Sequence, residues 1–248
     1  MNGRGDGARP SLALVAVALG IAAGGGLIGW GFARGRTSDR YVTVKGISER
    51  EVKADLALWP LRLVAADDDL SKAHQQIAAS GEKVRAFLAR QGIDAKSIET
   101  RGFRLTDAYA NQYRSAREVA KRYILEQVLV VRSQDPAVIV AASQQLGELI
   151  GAGVVLSSEE GVGSGGPSFL FTKLNDLKPA MIAEATARAR EGAQQFARDS
   201  KSALGGIRRA NQGIFEILPR DASPGVSEES QVDKRVRVVT TVEYALKD

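Results

Sequence analysis

Few side chains in this sequence could do chemistry, and their spacing narrows the set further. The 248 residues include no cysteine and one histidine, His74. Disulfides, thiolate metal sites and cysteine nucleophiles are therefore excluded. Acid–base work would fall to carboxylate pairs such as Glu51 and Asp55, which are four apart and share a face of an extended strand. Charged pairs of this kind are also ordinary on an exposed sheet. Neither G-x-S-x-G nor H-E-x-x-H occurs, so the usual groupings for serine and zinc hydrolysis are missing. The run Asp67-Asp68-Asp69 precedes a helical pattern and reads as an N-cap with dipole partners rather than a metal site. His74 falls on the polar flank of that helix, as a surface residue. The glycines of 157–168, "SSEEGVGSGGPS", lack the lysine and spacing of a phosphate-binding loop and read as a connection. The expectation is a protein that is not an enzyme and uses neither cofactor nor metal.

The elements around these residues alternate between strand and helix. Residues 41–47, "YVTVKGI", alternate apolar and polar with β-branched side chains, and 55–66 repeat the pattern around Pro60, which suggests an edge or a bulge. A helix is predicted from Leu70 to a cap at Gly92, with Leu70, Ala73, Ile77, Val84, Phe87 and Leu88 at helical spacings. Strands come next at 97–105 and 120–132, joined by a polar arm, 107–119, that carries Tyr109 and Tyr113 as a candidate partner-contact surface. Asp135-Pro136 opens a helix to Ile150, and Phe169, Phe171 and Leu174 suggest a short strand. A long helix runs from Asp176 to Leu204, closed by Gly205 and Gly206. Its Ala185, Ala189, Ala193 and Ala197, four apart, form a ridge of small side chains suited to close packing. Strands at 207–218 and 232–246 end the chain. The order β-β-α-β-β-α-β-α-β-β predicts an α+β fold, a mixed or antiparallel sheet with amphipathic helices on one face.

The first residues read as an address and a tether. Residues 12–33 contain no charge over 22 positions, long enough to cross a hydrocarbon core of about 30 Å. Leu12, Leu19, Leu27, Trp30 and Phe32 are the expected anchor residues, the two aromatics suiting a membrane interface. A cleavable signal peptide is the competing reading. Gly20/Gly24 and Gly25/Gly29 have a spacing that lets membrane helices approach, though glycine is common in such helices. The predicted layout is a flank (1–11), a transmembrane anchor (12–33), a linker (34–40) and one domain (41–248). Net charge is +5 overall, but residues 1–36 hold +3 of it, and the rest has 30 basic and 28 acidic side chains without a like-charge block. No nucleic-acid partner is expected.

Several stretches together resemble the SIMPL domain family of bacterial envelope proteins. Val42, Val44 and Gly46 with Asp55 and Ala57 are similar to its opening strand pattern. Gly92, Ile98, Thr100, Phe103 and Leu105 resemble its middle motif. The alanine ridge with Leu204-Gly205 after it, and Val236, Val238, Val242, Tyr244 and Leu246, resemble its closing half. The departures are Ala54 in place of proline, Lys121-Arg122-Tyr123 at a strand start, and Lys201 where a glycine commonly stands. The resemblance implies a sheet opened by the hairpin of 41–66 and an envelope protein without established catalytic residues, associated with self-assembly and stress tolerance. On this basis the chain is expected to be anchored in the inner membrane with its C-terminal domain in the periplasm. It would form homo-oligomers or capture an envelope protein partner by sheet-edge contacts.

Overall fold

The computed structural model describes residues 12–36, 40–110, 121–157 and 166–247. Helix α1 spans Leu12–Arg36. Its described side chains, 15–31, are exposed except Gly24, while those of Leu12 and Phe32 lie outside the described set. Among the described residues no helix is long and apolar enough to cross a membrane, so the transmembrane span expected at 12–33 is not found there.

Period-two alternation makes the strands, and the register decides where they go. Strand β1, Tyr41–Lys53, buries Val44, Gly46 and Ser48 while Thr43, Lys45 and Ile47 face out. After strand β2, Leu56–Asp67, come helix α2, Leu70–Arg90, strand β3, Ile98–Asp107, and strand β4, Tyr123–Ser133. Helices α3, Pro136–Gln144, and α4, Gly147–Gly151, precede strand β5, Ser168–Leu170, and helix α5, Leu174–Asp199. Strands β6, Ala203–Pro219, and β7, Asp233–Lys247, complete the chain.

The fold is α+β, but there are two sheets where one was expected. Their orders are β1-β7-β6 and β3-β4-β2-β5. The hairpin expected at 41–66 does not form, because both sides of β2 are occupied. One side pairs antiparallel with β4 from Ala57↔Ser133 to Asp67↔Tyr123, and the other meets β5 at 56–58 and Leu156 at Leu63. Pro60 is thus in an interior strand, tolerated because β5 has ended before it and needs no N–H from it.

Helix ends differ from expectation for local reasons. The helix expected at 136–150 is split into α3 and α4, where Gly147 lowers helix propensity. Helix α5 stops at Asp199, not at Gly205, because Lys201 takes φ 54° and the amides of Lys201 and Ser202 bond back to the carbonyls of Arg198 and Ala197. That is a Schellman ending with lysine at the left-handed position. Gly205 and Gly206 belong to β6.

The chain divides into two compact units. The first comprises 1–46, 185–213 and 240–248. Its core holds Val44, Ala189, Ala193, Val242 and Tyr244, with Val42 and Leu204 packed against it. All four ridge alanines of α5 are buried. A Cβ at Gly46 would overlap the carbonyl oxygen of Ala185 and lie 2.6 Å from the Ala189 nitrogen, so strand and helix meet backbone to backbone. The second unit, 47–184 and 214–239, packs Ala73, Ile77, Val84, Phe87 and Leu88 of α2 with Trp59, Leu61, Leu63, Leu125 and Leu129 of β2 and β4.

Candidate interaction edge

Strand β3 is the outer strand of the four-stranded sheet, bonded to β4 alone among the described strands. Every residue from Glu99 to Thr106 is exposed. A register shift between Arg101 and Phe103 is centred on Gly102 at φ 71°, a left-handed conformation that glycine adopts without a Cβ clash. Beyond the shift Phe103 and Leu105 stand 53% and 48% exposed. With Leu70, His74, Gln75 and Leu125 they line a recess of about 550 Å³. On this edge Arg101 pairs with Glu99 at 2.9 Å, while Arg104, exposed between Phe103 and Leu105, keeps a charge on it.

The three aspartates where β2 gives way to α2 each fasten a different piece of chain. Asp69 is the N-cap of α2, accepting from the Ser71 and Lys72 amides at 2.8 and 3.3 Å. Asp67 accepts from the Asp69 amide and from Gln76, and the first of these bonds holds its carboxyl below the usual range. Asp68 reaches across the chain to Lys121 Nζ at 2.8 Å and the Arg122 amide at 3.1 Å. These bonds lower the Asp68 pKa and raise that of Lys121.

The base of the β3–β4 arm is closed by Arg122. Its guanidinium bonds both oxygens of Asp107 at 3.1–3.3 Å and lies over the rings of Tyr109 and Tyr123 at 5.6 and 4.8 Å. The bond to Asp107 raises the Arg122 pKa and depresses that of the aspartate. Tyr109 is exposed at the start of the arm. Tyr113 lies outside the described residues. Arg122, part of a departure from the family pattern, is the organising side chain here. Its role depends on partners at 68, 107 and 109, which only the strand register brings together.

The remaining candidates for chemistry are occupied structurally. Asp55 accepts from the Thr172 amide and hydroxyl at 2.6 and 2.7 Å, fastening the segment after β5. Burial alone would raise its pKa, but the Thr172 bonds and nearby Lys173 outweigh it and hold the pKa low. Ser80 and Lys83 of α2 have the S-x-x-K spacing of serine acyl-transfer enzymes. Lys83 Nζ, however, donates to the Ala152 carbonyl at 2.7 Å. Among the described residues no group of three or more His, Asp or Glu side chains could hold a metal ion.

Fold and edge together define an α+β protein with an open strand and an apolar recess beside it. The model of the SIMPL family, described as a protein of unknown function (DUF541), matches residues 42–244. The chain belongs to the SIMPL family. Among curated proteins, none matches it.

Proposed function

We propose that this chain is a non-catalytic, membrane-attached protein of the bacterial envelope that self-assembles through the open edge at β3. The observation that carries this reading is the outer side of β3 at Glu99–Thr106, which no other described strand pairs, with Phe103 and Leu105 presented to solvent. Edge strands are usually blunted by unanswered charge. Here Glu99 answers Arg101, and Arg104 remains as the charge that a second copy must accommodate. Attachment rests on the 22 uncharged residues 12–33 and on the exposure of the described apolar side chains of α1. The folded portion is placed in the periplasm, at the inner membrane, and a role in envelope integrity or stress tolerance rests on the family resemblance alone.

The test is the absolute mass of the full chain in detergent, by light scattering after size exclusion, for wild type and for Phe103→Asp with Leu105→Asp. Wild type is expected as one defined oligomer and the variant as a smaller species. A wild-type monomer overturns self-assembly. The recess beside β3 supports a second reading, capture of an extended peptide by strand addition. That reading predicts a monomer that retains a bound peptide, lost in the same variant.

A further inference from the structure

The near-neutral charge of the chain beyond residue 36 conceals a segregation. Beyond residue 36 the first unit holds 9 basic and 5 acidic residues, a net +4, whereas the second unit is net −2. The basic unit is also the one that contains α1.

Within that unit the strand directions bring specific cations together. The Leu246 amide donates to the Arg40 carbonyl at 2.9 Å, and Arg40 donates to Ser202 at 3.2 Å. The guanidinium of Arg208 lies 5.1 Å from the ring of Tyr41. The start of β1, the end of β7, the start of β6 and the end of α5 therefore share one end of the unit. Arg40, Arg198, Lys201, Arg208 and Lys247 are exposed there, against Asp199 beside Arg198 and Glu243, which pairs with Arg208 at 3.6 Å. Three residues separate Arg36 from Arg40, so this end lies at most about 14 Å of chain from α1.

We infer that this end of the first unit is a contact surface for anionic phospholipid headgroups, an inference that rests on the proposed membrane attachment by α1. A basic surface held within a Debye length or two of a bilayer attracts acidic lipid, and salt weakens that attraction. The cations occupy exposed positions at helix and strand ends, where burial does not oppose contact. Apolar insertion and basic contact then act as two membrane signals on one unit.

The test uses the full chain in vesicles of phosphatidylcholine alone and of phosphatidylcholine with phosphatidylglycerol. The acylation rate of Lys201 by a water-soluble amine reagent is read by mass spectrometry. Phosphatidylglycerol is expected to slow Lys201 several-fold, high salt to reverse this, and Arg198→Gln with Lys247→Gln to abolish it. Equal rates in the two lipids, or a difference that survives both high salt and the double variant, overturn the proposal. Flotation with neutral vesicles reports α1 separately. If neutral vesicles fail to carry the chain, the anchor reading falls, and salt-sensitive flotation with phosphatidylglycerol vesicles alone still supports the headgroup surface.

Discussion

Two residues show how a family motif becomes a physical requirement. Gly46 closes the opening strand motif because a side chain there would collide with the backbone of α5 at Ala185 and Ala189. Gly46→Ala is expected to destabilise the protein by about 1–3 kcal/mol, the usual range for overfilling a packed contact, read as a fall in thermal midpoint. Lys201 is the opposite case, a non-glycine residue at the left-handed position of a Schellman ending. An L side chain costs roughly 1–2 kcal/mol in that conformation, and glycine's extra unfolded-state entropy returns part of it. Lys201→Gly is therefore expected to stabilise by up to about 1 kcal/mol, measured by urea unfolding. A loss of stability would show that the lysine side chain contributes more than its backbone costs.

At the scale of elements, the alanine ridge and the arm base carry separate consequences. Ala189 and Ala193 are fully buried in the core of the first unit. Replacing both by Leu is expected to cost about 1–3 kcal/mol per site, and wild-type stability in that double variant would remove the argument for close packing. At the arm base, Asp68 and Asp107 have depressed pKa values from their bonds to Lys121 and Arg122. A depressed carboxylate contributes stability that is present above its unfolded pKa and lost as pH falls through the lower folded value. Exchange protection of the Arg122 amide is thus expected to hold at neutral pH and to fall only below about pH 3.8, the unperturbed value. In Asp68→Asn with Asp107→Asn, protection should be several-fold lower at pH 7 and insensitive to that acid step. Pro60 belongs to this scale as well: proline is a sound edge signal, but the brevity of β5 gives it an unpaired stretch inside an interior strand.

For the whole molecule, assembly and lipid contact use different surfaces, one on β3 and the other at the end of the first unit. The mass of the β3 variant and the lipid dependence of Lys201 acylation should therefore vary independently. If Phe103→Asp with Leu105→Asp removed the lipid effect along with the oligomer, the contact would need many copies acting together.

Alternation and helical spacing determined the order of elements, the buried faces of α2 and α5, and the capping role of Asp69 and Asp135. These are local properties, written in neighbours three or four residues apart. The absence of cysteine and of a second histidine likewise restricted the chemistry before any fold was known. Pairing was decided only in three dimensions. The Asp68–Lys121, Asp68–Arg122 and Asp107–Arg122 ties join residues between 15 and 54 positions apart, and the division into two sheets depends on pairings more distant still, such as Ala57 with Ser133 and β1 with β7. Charge segregation beyond residue 36 was equally hidden, because the +4 of 37–46, 185–213 and 240–248 is partly cancelled by the −2 of the segments between them when the chain is read in order.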